Sequence, residues 1–279
     1  MSSKLTFIDH SRKFRDFKYV YPVLSRRAEG ISIGVNLNIN NACNWRCIYC
    51  QVDGLIRGKP VKIELEQLEY ELNLLLNEMV VNNSIQYYAT GNLARINDIS
   101  ISGNGEPTLS EDFFAACDII IKLKTKYQLD HIKIILITNG SNIKDLKVQA
   151  GLILMSQHNG EVWFKVDSVT DIGIKQVNQI NLSSSQILNG LSLTSNLCKT
   201  WIQSCFFMTN DKLPDNEEIR QYIKFLVYNK NLFKGVFLYT IARTPMLIEG
   251  SNLKPVDFEF LQNIASQLAK DGILVKSYV

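Results

Sequence analysis

Long apolar runs are missing from this chain. No stretch of its 279 residues approaches the ~18 consecutive hydrophobic positions that a membrane-crossing helix needs, so no membrane partner is expected. One-sided charge is missing too. Lys+Arg number 30 and Asp+Glu 27, a net +3, too mild to mark nucleic acid or an anionic membrane as partner by charge alone. Proline is scarce, with six in the whole chain, and no Pro/Gly/Ser-rich linker or low-complexity tract divides it. Histidine is scarcer still: His10, His131 and His158. The opening residues, MSSKLTFIDHSRKFRDF, carry no apolar signal core, so a cytoplasmic protein is expected. What remains is ordinary globular material, 46% hydrophobic and 20% charged, which excludes disorder and collagen-like repeats. A chain this long buries roughly three quarters of its unfolded surface and needs no staples.

Six cysteines stand out against that background. In a reducing compartment disulfides are rare, and clustered thiols bind metal or do redox work. Cys43, Cys47 and Cys50 fall within eight residues, while Cys117, Cys198 and Cys205 are scattered. Cys117 sits on an apolar helical face and Cys205 inside a hydrophobic strand, where unpaired cysteine packs as a small hydrophobe. Cys198 is ambiguous. The three show no second C-x-n-C spacing, so no second cluster is expected.

Periodicity gives the architecture. Ile31, Ile33, Val35, Leu37 and Ile39 alternate with Ser32, Asn36 and Asn38 as a strand does, and Leu65, Leu68, Leu72, Leu75 and Met79 recur at helical spacing. Further strands are expected at 98–102, 131–140, 161–167, 201–208 and 235–241. Helices are expected at 64–81, 111–124, 141–149, part of 183–198, 215–229 and 256–270. Asp215 and Glu218 have capping-box spacing. Six strands alternating with helices mean repeated βα units and a parallel sheet, either open and doubly wound or wholly or partly closed as a barrel. Polar residues recur at the C-terminal end of nearly every strand, which suits a ring of ligand contacts. Residues 1–30, with seven basic side chains against Asp9, Asp16 and Glu29, are read as a basic lead-in packed on the domain. Residues 31–279 are read as one core domain with a C-terminal helix.

The segment Cys43-Asn44-Trp45-Arg46-Cys47-Ile48-Tyr49-Cys50 has C-x3-C-x2-C spacing. Zinc takes four ligands, usually in two close pairs, and no histidine is spaced to complete the set. Electron-transfer clusters also use four cysteines. Three thiolates on one loop match instead a [4Fe-4S] cluster with one iron open to a substrate. Zinc with a distant fourth ligand, or three incidental thiols, stays open at this level.

C-x3-C-x-aromatic-C after the first strand of a βα series resembles the radical S-adenosylmethionine (SAM) superfamily. The resemblance covers roughly residues 31–241 and implies an α/β fold, a partial (β/α)6 TIM-like barrel of parallel strands. It implies a [4Fe-4S] cluster on Cys43, Cys47 and Cys50, SAM chelated at the open iron, and reductive cleavage of SAM to a 5′-deoxyadenosyl radical. A reducing partner such as flavodoxin or ferredoxin is implied as well. Tyr49 stands in the aromatic slot that the family sets against adenine; otherwise it is a core or rim tyrosine. Ser102-Gly103-Asn104-Gly105-Glu106-Pro107-Thr108 resembles the family's Gly-Gly-Glu-Pro motif, whose backbone receives the SAM amino group, with Asn104 a departure from its glycine-only form. It is not a G-x-G-x-x-G dinucleotide fingerprint, because the third glycine is missing. Asn139, Lys165 and Asp167, at the ends of the next two strands, fall where the family contacts ribose hydroxyls and the SAM carboxylate. Lys165 and Asp167 share one strand face, and a buried ion pair is the alternative for them, as a turn former is for Asn139.

Ser25-Arg26-Arg27 before the first strand, and Tyr239-Thr240-Ile241-Ala242-Arg243 closing the last, resemble the branch grouped with tRNA wyosine-synthesis enzymes. That branch carries extra cysteines for a second cluster and a lysine for pyruvate, and the extra cysteines are absent here. The resemblance therefore leaves RNA or a small molecule as substrate. A radical-installing activase and a non-enzymatic iron–sulfur or zinc protein remain as alternatives. Arg243 is a candidate for a substrate carboxylate or phosphate, or a surface residue.

Overall fold

A computed structural model describes residues 4–7 and 12–279; Asp9 and His10 lie outside the described residues. In chain order the strands are β1 (Val20–Ser25), β2 (Gly30–Val35), β3 (Ala42–Cys43), β4 (Ile56–Arg57), β5 (Ile96–Ile101), β6 (Lys133–Thr138), β7 (Gly160–Lys165), β8 (Lys199–Thr209), β9 (Val236–Thr240), β10 (Leu253–Pro255) and β11 (Val275–Tyr278). The helices are α1 (Leu65–Leu76), α2 (Phe113–Lys126), α3 (Leu146–Gln157), α4 (Asp171–Asn178), α5 (Ser184–Leu197), α6 (Asn216–Tyr228) and α7 (Phe258–Lys270). Among the described residues no helix is long and apolar enough to cross a membrane.

The main sheet runs β1-β2-β5-β6-β7-β8-β9-β11, with β10 paired to the end of β8. The six strands from β2 to β9 on this path are parallel, as their alternation with helices predicts, and β11 adds a seventh in the same sense. The sheet curls into a partial barrel. Its outer face is sealed by helices through side chains such as Leu68, Leu72 and Leu75 of α1 and Leu261, Ile264 and Leu268 of α7, each fully or almost fully buried. Its inner face carries a second, smaller cluster of Ile135, Trp163, Trp201 and Phe237, in which Trp201 and Phe237 stack at 4.8 Å.

Several boundaries differ from the sequence reading. The basic lead-in contains β1, which pairs antiparallel with β2 in the register Val20↔Val35 to Ser25↔Gly30. Pro22 within it lacks an N–H and suits an edge strand. The first parallel strand stops at Val35, because Asn36 and Asn38 turn their side chains onto nearby backbone: Asn38 N donates to Asn36 Oδ1 at 2.9 Å. The helix expected at 141–149 begins only at Leu146, where the Asp145 carboxylate caps it by accepting from Lys147 N at 2.8 Å. Asp215 does cap α6 through Glu217 N, but no capping box forms, since Glu218 turns away to accept from Ser168 and Thr170. The capping box belongs to Ser183 and Gln186 at the start of α5. The 64–81 helix changes at Asn77 into a π-helical turn, Asn77–Val81.

Candidate functional site

The C-terminal ends of the parallel strands form one rim, and the cysteine segment lies on it, following β2. Asn38 fixes the segment's entry, donating to Ala42 O at 3.0 Å and to Glu106 O at 3.1 Å. The two-residue pairing of β3 with β4 closes its base. Contacts from far along the chain hold its middle. Arg46 N and Ile48 N donate to the carbonyls of Asn178 and Val177 at the end of α4, at 3.2 and 2.9 Å. The Arg46 guanidinium donates to Gln179 and Glu249 at 2.6 Å each. Met246 N reaches Cys50 O at 2.8 Å.

All three cysteines are unpaired and partly exposed, and all three line a single cavity of about 340 Å³ that runs from the rim into the barrel. Cys43 Sγ accepts from Trp45 N at 3.4 Å and Cys47 Sγ from Asn178 Nδ2 at 3.3 Å. Burial pushes the Cys43 thiol up to about 12, with the Trp45 N–H opposing it. Burial likewise raises Cys47 to about 11, opposed by Lys165. Both are thiols near neutrality and must shed a proton to ligate metal. Among the described residues no three His, Cys, Asp or Glu side chains converge as ligands of a single ion would. A four-iron cluster asks for a different arrangement, one thiolate per iron at separate corners. Three free thiols on one clamped loop, open to a cavity, fit that group.

Tyr49, Lys165 and Asp167 meet beside Cys47. The Tyr49 hydroxyl donates toward Asp167, 2.8 Å from either oxygen, and Lys165 Nζ lies 3.0 Å from Asp167 Oδ2 while also bonding the Tyr49 oxygen. Asn178 Nδ2 and Cys205 N add donors at 2.8 and 3.1 Å. Burial lowers the Lys165 ammonium's pKa, but Asp167, with Cys47 and Tyr239 behind it, more than offsets this and the group is raised well above its usual value. Burial and the neighbouring carboxylate keep Tyr49 a neutral phenol. Lys165 and Asp167 thus form a buried ion pair, and both groups sit beside a cysteine of the loop.

The Gly103–Pro107 segment packs against the cysteine loop. A Cβ on Gly105 would collide with the Ala42 carbonyl, and one on Gly103 with the Asn36 side chain, so both glycines are needed where backbone meets protein. Asn104 Nδ2 donates to Asn41 Oδ1 at 2.7 Å and its Oδ1 accepts from Arg12. The Glu106 carboxylate, fully enclosed, accepts from Thr108 N and Oγ1, Thr138 Oγ1 and Asn139 N. It ties the end of β5 to the end of β6, Oε1 accepting three of these bonds and Oε2 one. Pro107 starts a short 3-10 turn. Asn139 Nδ2 donates to Asn44 Oδ1 at 3.0 Å, linking β6 to the cysteine loop.

Tyr49, Gly103, Gly105, Glu106, Asn139 and Lys165 line the cavity with the cysteines. Asn104, Pro107 and Asp167 do not, and Asp167 reaches it through Tyr49 and Lys165. Sequence reasoning missed Asn178, Gln179 and Glu249, which lie in a short helix end and a loop without any local motif. It also missed Asp98, Trp163 and Gln203, inward-facing residues on alternate positions of β5, β7 and β8 that the period-two pattern of those strands could have marked.

Residues 37–226 match the Radical SAM superfamily. The chain belongs to that superfamily. Membership implies an enzyme that carries an iron–sulfur cluster and uses SAM. Among curated proteins, it is 26% identical over 226 residues to a protein named GTPase Obg from Brachyspira hyodysenteriae, covering 80% of this chain and 29% of that one. It is 23% identical over 178 residues to UPF0026 protein slr1464 of Synechocystis sp., covering 63% and 58% respectively. The chain thus spans less than two thirds of either relative's length. Among solved structures, SuiB of Streptococcus suis bound to precursor peptide SuiA superposes with a TM-score of 0.61 at 12% identity, over 88% of this chain and 48% of SuiB. TYW1 with a lysine-pyruvate adduct bound gives 0.59 at 12%, over 93% and 86%. A radical SAM methyltransferase from Sphaerobacter thermophilus gives 0.61 at 10%, over 93% and 68%. At such identities these likenesses show the shared partial TIM barrel and nothing finer.

Proposed function

We propose that Cys43, Cys47 and Cys50 hold a [4Fe-4S] cluster with one open iron, and that this chain cleaves SAM reductively there. The observation that carries the reading is the clamped loop itself: three unpaired thiols opening on the same cavity as Tyr49, Lys165 and Asn139. When bound, such a cluster supplies an electron to the SAM sulfonium, releasing methionine and a 5′-deoxyadenosyl radical that takes a hydrogen atom from the substrate.

The chain's own residues bind, orient and shield. The backbone of Gly103–Glu106 offers carbonyl acceptors for the SAM amino group, with Asn104 and Pro107 fixing the turn and the Glu106 carboxylate fixing its distance from β6. Lys165 suits a carboxylate and Asn139 ribose hydroxyls, with the buried Asp167 orienting Lys165 and Tyr49 from behind. Tyr49 supplies an aromatic face for adenine. A cavity walled by Trp163, Tyr239 and Ile137 keeps bulk water from the reacting atoms. The reading takes residues 31–279 as the core domain with the basic lead-in packed on it, and a flavodoxin or ferredoxin as electron donor. Six free cysteines suit the reducing cytoplasm.

The test is 5′-deoxyadenosine formation by anaerobically reconstituted protein given SAM and dithionite, beside a Cys43/Cys47/Cys50→Ala control. Product from the wild type alone is expected. A wild-type protein that takes up zinc but no iron overturns the reading.

A further inference from the structure

The cavity that the cysteines open on is also lined by four arginines, Arg12, Arg26, Arg27 and Arg243. Among the described residues none of the four pairs with an Asp or Glu side chain; the chain's arginines that do are Arg15, Arg46 and Arg220. Other groups hold them in place. Arg12 donates to Asn104 Oδ1 at 2.7 Å, and Arg26 to the main-chain oxygen of Val279. Arg27 donates to Gln203 Oε1 at 2.8 Å, with its guanidinium 4.7 Å from the Trp163 ring centre and 5.3 Å from that of Tyr239. The two carboxylates that line the same space are not ion-paired to them: Glu106 is taken by its four donors, and Asp98 accepts from Ser32 at 2.5 Å.

Like charges gathered in one cavity repel, and the effect reaches Arg243. Its pKa is lowered to about 10, first by burial and then by Arg12, Arg27 and Arg26. Donors are also in surplus. Among the described residues, Arg243 Nε, the Trp163 indole N–H and the Tyr278 hydroxyl are buried and without a partner, and all three residues line the cavity. Buried donors without acceptors are rare and costly. One oxyanion would answer both excesses, since guanidinium forks match phosphate and carboxylate geometry.

Contacts separate this feature from the group assigned to SAM. Arg27 stacks on Trp163 and donates to Gln203, the strand partner of Lys165, whereas Lys165 is held by Asp167 and Tyr49.

We propose that these arginines bind an oxyanion group of the substrate, a phosphate or carboxylate on a small molecule, at a subsite distinct from the SAM carboxylate. The inference rests on the reading of the rim as a SAM site. A small molecule is favoured over an RNA backbone because the arginines line one concave cavity of about 340 Å³ rather than a flat face.

The test is calorimetric titration of the reconstituted full chain with inorganic phosphate and with malonate, at matched ionic strength, with and without saturating SAM. Saturable 1:1 binding of at least one anion is expected in both conditions, and its preference tells phosphate from carboxylate. Charge-assisted hydrogen bonds of about 1.5–3 kcal/mol predict roughly 10- to 100-fold weaker binding in Arg243→Gln and in Arg27→Met, with SAM affinity unchanged. Arg243 is partly exposed, so its variant separates lost binding from misfolding. No saturable binding of either anion, undiminished binding in both variants, or displacement of the anion by SAM overturns the proposal. So does binding of a short oligoribonucleotide that depends on the arginines while neither small anion binds. If SAM itself fails to bind, the rim reading fails, and the SAM-free titration still decides the anion subsite.

Discussion

The Tyr49 hydroxyl lies 2.8 Å from both carboxylate oxygens of Asp167, although 118 residues separate the two in sequence. Asp167 thereby joins the cysteine loop to the end of β7 and to β8 at once. Its side chain is wholly buried, and Lys165, Asn178 and Cys205 N complete its partners.

Replacing Asp167 with Ala strands a buried ammonium, a phenol and a backbone N–H together. Removing one partner of a buried ion pair costs about 3–5 kcal/mol, and the variant should lose that much in urea unfolding. Asp167→Asn keeps the volume and part of the hydrogen bonding, so it should lose less.

Gly105→Ala should damage the rim without touching the core. The added methyl group collides with the backbone carbonyl of Ala42, one residue before Cys43, and backbone cannot step aside as a flexible side chain can. Overpacking of this kind costs about 1–3 kcal/mol. A lower melting temperature, together with iron uptake below three-quarters of wild type on reconstitution, is the expected pair of results.

Glu71 is a structural carboxylate in an unexpected place. Fully buried on α1, it accepts from the backbone N–H groups of Lys18, Tyr19 and Val20 at 2.8, 2.8 and 3.1 Å and so anchors the start of β1. Each buried N–H left unpaired costs about 1–3 kcal/mol. Glu71→Ala should therefore lose at least about 3 kcal/mol, with amide exchange of residues 18–20 accelerating more than that of β6.

Asp98 should make stability depend on pH. Burial pushes its pKa from 3.8 up to about 7, with Ser32, Arg27 and Lys133 restraining the rise and Glu161 adding to it. Between those values the folded protein keeps a proton that the unfolded chain has lost. Stability from this group is complete below pH ~4 and falls as pH climbs to ~7, by on the order of 4 kcal/mol. Asp98→Asn, which leaves Ser32 an acceptor, should flatten that decline. Urea midpoints of both proteins at pH 5 and pH 8 give the comparison, and an equal fall in the two would refute the assignment.

The parallel strands were legible because each is an apolar run closed by polar residues, a pattern that depends on neighbours in sequence. The cysteine loop was legible for the same reason, with three thiols inside eight residues. β1 was not, since Pro22 interrupts its pattern and its pairing with β2 at the sheet edge sets no strong alternation. α4 spans only Asp171–Asn178, too few turns for periodicity to register. The loop's restraints were hidden because Asn178 lies 131 residues from Cys47 and Glu249 lies 203 from Arg46. No local window contains both partners. The Asp215/Glu218 pair shows the opposite error, in which correct spacing met a stronger attraction: Glu218 found two hydroxyls across the fold.

The distance between Arg46 and Glu249 also sets an order of events during synthesis. At roughly 5–20 residues per second, the cysteines emerge about 10–40 s before the last residues that clamp them. For that interval the nascent chain presents three unrestrained thiols. Metal delivered then would meet a loop free to wrap a single ion, whereas metal delivered after release meets the loop already shaped. Metal bound within that interval would therefore be bound before Glu249 restrains Arg46.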